Sequence, residues 1–365
     1  MPTAKAKTIE LALQGGGAHG AFTWGALDRL LDEERLEIEG ISGASAGAMN
    51  AIALADGLVR GGRREARRHL ERFWSATSSV ARFSPIQRSV IDRFMGNWTL
   101  DASPSYMVAD QLSRLLSPYE LNPLDINPLR DLVVDIIDFD NVNRQPGPKV
   151  FLGATNVRTG RTKVFRQPHI TADTVMASAC LPTLFKAVEI DGEAYWDGGF
   201  MGNPPIFPLV DECDGRDMVL IRVNPFYRSE VPKSARDIQS RLNEITFNAS
   251  LIKELRSLAF LWEIIYHEDL ERDRYRDARL HAISDDALMR DLGMSSKMNA
   301  EWAFLTFLRD KGRAAADQWL RDHFDDIGVC GTFDIAWLLE ESLKPAHLPE
   351  GADRNYRKRP SETEG

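Results

Sequence analysis

Short apolar runs alternate along this chain with stretches in which apolar residues return every three or four positions. Ile9-Glu10-Leu11-Ala12-Leu13 reads as a strand over about 8–13. Phe22, Trp24, Ala26, Leu27, Leu30 and Leu31 then make one face of a helix predicted from about Ala18 to Glu33. A second strand at about 36–42, with Ile38 and Ile41, leads into a helix rich in small residues from Ala46, which the pattern ends at Gly57. A further helix over about 63–74 carries Arg63, Arg64, Arg67 and Arg68 on one side; such a run reads as a solvated face before a phosphate-binding one.

The pattern breaks over 76–130, where Pro85, Pro104, Pro118, Pro123 and Pro128 cut the segment short and Phe83, Phe94, Met95, Trp98, Tyr106 and Met107 are scattered through it. It is placed either to cover a pocket or to form an irregular packing layer, and the sequence does not choose. Order returns with an apolar run from Val150 to Ala154, and Arg158-Thr159-Gly160-Arg161 reads as a hairpin turn into Lys163-Val164-Phe165. A short helix at about 172–179 follows. A second hairpin turns at Asp191-Gly192 between Val188-Glu189-Ile190 and Glu193–Trp196. Met218–Val223 is almost continuously apolar, as a strand buried on both faces would be.

From about 234 helical spacing dominates. Leu251, Leu255, Leu258, Trp262 and Ile265 form a stripe within 245–265, and shorter helices are expected at 301–308, 313–324 and 333–343. Residues 277–283 are a candidate last strand. The alternation implies an α/β fold, a mostly parallel central sheet with helices on both faces, followed by a helical C-terminal region. The expected division is a core over 8–225, a mainly helical extension over 226–344 packed on it, and a disordered tail over 345–365.

Composition narrows the class. A net charge of −9 speaks against a nucleic-acid partner, whose binding needs phosphate neutralisation. No run approaches the roughly 18 apolar residues of a membrane span. The opening residues lack the apolar core of a secretory signal, and three widely spaced cysteines suit reduced thiols better than a disulfide framework. The expectation is a cytoplasmic protein. No metal or other cofactor is implied, and the oligomeric state is not legible.

The candidate chemistry lies in three stretches. Gly43-Ala44-Ser45-Ala46-Gly47, between the second strand and its helix, fits the G-x-S-x-G nucleophile elbow. Taken alone, Ser45 is as well explained as a helix N-cap in a small-residue turn. Gly15-Gly16-Gly17-Ala18-His19-Gly20 directly follows the first strand, and Asp197-Gly198-Gly199 follows the second hairpin. Asp197 alone reads as a turn residue.

The three motifs in this order resemble the patatin-like phospholipase family over roughly residues 8–225. Ile170–Pro205, with Ala177–Pro182 and Gly202-Asn203-Pro204-Pro205, is similar to that family's approach to and exit from its aspartate. The resemblance implies Ser45 as nucleophile, Asp197 as its base, and Gly15, Gly16 and Gly17 as a backbone oxyanion hole. It also implies a phospholipid or other lipid acyl ester as substrate. The stripe at 251–265 is expected to pack against the domain or a partner subunit, which leaves membrane contact transient and near the pocket mouth. Intracellular esters or polyesters are the alternative substrates. Where the family usually has arginine or lysine, this chain has His19, which is read as a tuning group or as a plain helix-start histidine.

Two rivals compete. His267, His281, His323 and His347 all follow Asp197, so a Ser–Asp–His triad is available in chain order. Gly15-x-Gly17-x-x-Gly20 also satisfies a dinucleotide-binding fingerprint, with Glu37 or Glu39 about twenty residues on. None of those histidines sits in a recognisable active-site turn, and the dinucleotide reading gives no reason for Gly43–Gly47 or for Asp197-Gly198-Gly199.

Overall fold

The computed structural model describes residues 6–144, 146–267 and 278–335, with the backbone alone at Val90 and at 263–267. Eight strands among these residues form one mixed sheet in the order β5-β6-β3-β2-β1-β7-β8, and β4 pairs with β3 off that path. β1 (Lys7–Leu13), β2 (Leu36–Gly43), β3 (Lys149–Asn156), β7 (Asp217–Ile221) and β8 (Arg279–Ile283) run parallel. β4 (Thr162–Arg166), β5 (Val188–Ile190) and β6 (Glu193–Asp197) add antiparallel pairs at one side. Both expected hairpins are present. Asp191 and Gly192 take the positive φ of 52° and 79° that a tight primed turn requires.

Buried side chains explain why the sheet is covered on both faces. β7 is buried along its whole length. On one side α1 (Gly20–Leu30) packs under the helix Trp302–His323, with Phe22, Trp24, Leu27, Phe304, Leu305 and Leu308 in a common core. On the other, Leu251, Leu255 and Leu258 of the helix Ala235–His267 close over Leu209, Leu220 and Leu280. The C-terminal region is therefore built into the sheet at β8 as well as packed against it.

Two helix boundaries differ from the periodic reading, each for a packing reason. α2 (Ala46–Ala81) is helical past Gly57 and kinks at Gly61 and Gly62, where φ is −165° and +70°. Gly57 lies against the backbone of Ala66, so its missing side chain serves the fold-back and not a helix stop. The helices expected at 301–308 and 313–324 are one, Trp302–His323. Its Gly312 sits inside, against the Phe22 carbonyl, while Gly25 of α1 meets the Arg309 carbonyl; two helices can approach so closely only where side chains are absent. Finally, the arginine run is partly structural. Arg67 pairs with Asp28 at 2.7 Å and Arg63 donates to the Glu33 carbonyl at 2.9 Å, while Arg64 and Arg68 stay exposed. Arg313 pairs with the same Asp28, tying α1, the second half of α2 and the last helix together.

Segment 76–130 folds into short helices at Val90–Phe94, Pro104–Leu115 and Pro118–Leu121, followed by Pro128–Ile136. Pro104–Leu115 buries none of its residues. The expected helix at 333–343 lies almost entirely outside the described residues, as does the tail.

Candidate active site

Parallel α/β sheets bind ligands beyond the carboxyl ends of their strands, where the strand order reverses. That point falls here at β1, which has β2 on one side and β7 on the other. The glycine loop leaves β1 and the Ser45 turn leaves β2, so adjacent parallel strands deliver the two motifs side by side.

Ser45 adopts φ 55° and ψ −126°, a conformation that costs a non-glycine residue about 1–3 kcal/mol. Its surroundings hold it there. The Ser45 N–H donates to both the carbonyl and the hydroxyl oxygen of Ser178, each at 3.1 Å. Gly47 passes directly against the Leu13 carbonyl, and a Cβ at Gly15 would lie 2.7 Å from that of Ser45. The Ser45 side chain makes no cap hydrogen bond to α2, so the N-cap reading fails and the hydroxyl is left for other work. The residue is 9% exposed.

Asp197 ends β6 and is fully buried. It is not the hairpin corner, which Asp191 and Gly192 supply. Oδ1 accepts the Gly199 N–H at 2.7 Å, while Oδ2 has no hydrogen-bond partner among the described residues. A buried carboxylate oxygen left unpaired is costly and marks a position where stability has been given up. Burial raises the Asp197 pKa to about 6, against opposing pulls from the Gly199 N–H, the Ser45 hydroxyl and Lys297. The Ser45 hydroxyl is thus among the groups that act on this carboxyl, although no hydrogen bond joins the two.

The glycine loop is braced by side-chain amides. Asn203 Oδ1 accepts the Gly15 N–H at 2.7 Å, and Asn224 Nδ2 donates to the Gly15 carbonyl at 2.9 Å. Gln14 Oε1 accepts the N–H groups of Val223 and Asn224 at 2.9 Å. Gly15 thus spends its amide within the protein; Gly16 and Gly17 show no acceptor for theirs among the described residues. His19 is buried, its Nε2 lies 2.7 Å from Ser296 Oγ, and burial together with nearby Lys297 lowers its pKa to about 3. At neutral pH it is an uncharged imidazole.

Sequence reading missed Ser178, Asn203, Asn224 and Lys297 as parts of this site. The first two stood inside stretches already singled out, Ala177-Ser178-Ala179 and Gly202-Asn203-Pro204-Pro205, but nothing in the local pattern around Asn224 or Lys297 points to it. The histidines that could complete a triad are engaged elsewhere or lie beyond view. His281 bonds Asp217 at 3.1 Å and Thr332 at 2.9 Å, and His323 bonds Asp326 at 2.9 Å. The side chains of His267 and His347 fall outside the described residues. For the dinucleotide reading, Glu37 and Glu39 lie in the first half of β2, away from the glycine loop, and Glu39 is occupied by Lys149 and the Gly215 N–H.

A family model described as Patatin-like phospholipase matches residues 11–210. The chain belongs to the patatin-like phospholipases. Its family is one of lipid acyl hydrolases, and the fold agrees with that membership. Among solved structures it is similar to VipD from Legionella pneumophila, at 15% identity and a TM-score of 0.39, over 88% of this chain and 68% of that one. No curated protein matches the sequence. No helix among the described residues is long and apolar enough to cross a membrane.

Proposed function

We propose that this patatin-like protein is a serine acyl hydrolase that cleaves carboxylic ester bonds of lipids through Ser45 and Asp197. The observation that carries the reading is the pairing of a strained, uncapped Ser45 with a buried Asp197 oxygen that has no other partner. A serine hydroxyl is a weak nucleophile until a base takes its proton. Asp197, ionised above its pKa of about 6, is that base.

As Ser45 Oγ attacks the ester carbonyl, its proton passes to Asp197 and the carbonyl oxygen becomes an oxyanion. The N–H groups of Gly16 and Gly17 stabilise it, with Gly15 joining if its bond to Asn203 opens. One such donor is worth about 2.7–4 kcal/mol of transition-state stabilisation. Collapse expels the alcohol, which takes the proton from Asp197 and leaves an acyl-Ser45. Water, deprotonated by Asp197, then releases the carboxylate and frees Ser45. His19, neutral and fixed by Ser296, tunes the head of α1 and does not act as acid or base. We propose further that the protein meets its lipid transiently at the pocket mouth, and that it acts in the cytoplasm.

The test is Ser45→Ala. A folded variant should lose both ester hydrolysis and labelling by a fluorophosphonate probe. Retention of either would sink the assignment.

A further inference from the structure

Lys297 lies far from the three motifs in sequence, in the 3-10 turn Met294–Met298, which packs on the turn Gly17–His19 of the glycine loop. Its own carbonyl sits where a Cβ of Gly17 would be. Its ammonium Nζ donates to Asn224 Oδ1 and Asn243 Oδ1, both at 2.7 Å. The residue is half-buried and lines a small cavity with His19, Val223, Asn224 and Asn243.

Two neutral amide oxygens, and not a carboxylate, therefore hold this cation. Three titratable groups face it from the surrounding elements: His19 of the glycine loop, Glu244 of the long helix and Asp197 at the end of β6. Glu244 is already engaged by Arg228 at 2.9 Å and Arg241 at 3.1 Å. His19 is neutral. The field of Lys297 is thus left to act on Asp197. Phe247 lies between them: its ring presses on Gly199, whose N–H holds Asp197, and its centroid is 5.7 Å from the ammonium.

We propose that Lys297 is the electrostatic positioning residue of this active site: from behind the glycine loop it holds buried Asp197 ionised and, through Asn224, fixes the Gly15 peptide. The proposal rests on the Ser45–Asp197 reading. Two shifts support it. Lys297 is among the groups that hold the Asp197 pKa down, and burial lowers the Lys297 pKa to about 8, against the pull of Glu244 and Asp197.

The experiment is the pH profile of the fluorophosphonate inactivation rate for wild type, Lys297→Met and Lys297→Arg, with thermal unfolding as a check on folding. Wild type should rise through pH about 6. In Lys297→Met the acid limb should move to higher pH, so that the rate drops below wild type near pH 6 and returns to it at alkaline pH, where Asp197 is ionised with or without the cation. Lys297→Arg, still cationic, should keep the wild-type acid limb. A Lys297→Met profile that overlays wild type, or one lowered equally at every pH, would overturn the proposal. Should Lys297→Met not fold, Lys297→Gln replaces it and is judged by the same profile. Ser45→Ala, run alongside, should label at no pH; labelling there would remove the underlying reading and the proposal together.

Discussion

At the scale of single residues, the site is recognisable by what it costs. Ser45 is held in a backbone conformation that few side chains adopt, and Asp197 is buried with one oxygen unpaired. The Asp197 carboxyl has a folded pKa of about 6 against an ordinary 3.8. A pKa raised by folding means that the folded protein binds the proton more tightly. The resulting stability is present below pH about 4 and is lost as pH rises through about 6. At pH 7 the buried charge thus costs about 3 kcal/mol. Asp197→Asn keeps the acceptor for the Gly199 N–H and removes that charge. It should therefore be as stable as wild type or more so at pH 7, show little difference at pH 4, and lose about 10²–10⁴-fold in activity. Thermal unfolding at the two pH values with an ester assay checks this. A variant that is destabilised and only proportionately less active would make Asp197 a turn residue after all.

At the scale of elements, glycines that look like helix stops work as contact points between helices. Gly312 lies mid-helix in Trp302–His323, pressed on the backbone of α1 at Phe22, with Gly25 supplying the reciprocal gap. A methyl group there has only main chain to displace. Gly312→Ala should destabilise the protein by at least about 1–3 kcal/mol despite the better helix propensity of alanine. Denaturant unfolding measures it, and a neutral or stabilising result would mean the crossing can open at little cost. The same crossing carries Asp28, shared by Arg67 and Arg313, so the helix under the glycine loop is braced from two directions.

At the scale of the whole molecule, the exposed apolar surface is unevenly spread. Phe83, Phe94 and Leu115 are 89%, 88% and 77% exposed, and all fall in the segment that follows α2. That segment reaches the approach to Asp197, where the Tyr119 hydroxyl accepts the Ala187 N–H at 3.3 Å and Lys186 donates to the Pro123 carbonyl at 2.9 Å. By contrast, the Leu251–Leu255–Leu258 stripe is fully covered by the sheet and offers nothing to a bilayer. With a net charge of −9, general electrostatic attraction to anionic lipid is weak, so the membrane contact proposed above would rest on apolar side chains. The double variant Phe94→Glu with Leu115→Glu should bind zwitterionic vesicles less and hydrolyse their lipids more slowly, with unchanged rates on a soluble short-chain ester. Equal losses on both substrates would show instead that the segment shapes the pocket.

Features carried by local spacing could be read before any fold was known. Strands, hairpins and the three motifs are short-range patterns, so β1, β2, the Asp191-Gly192 corner, Ser45, Asp197 and the glycine loop were all legible, as was the family. Tertiary structure decided what depends on distant partners. Only packing tells a glycine that ends a helix from one that lets another helix approach, as at Gly57 and Gly312. Only the folded chain shows that Asn203 takes the Gly15 amide, that His19 is desolvated beside a cation, and that Ser45 forgoes its cap. Lys297 is the clearest case. It belongs to no motif and reaches the site because the chain after β8 folds back onto the loop after β1, and no periodicity records a contact made across that separation.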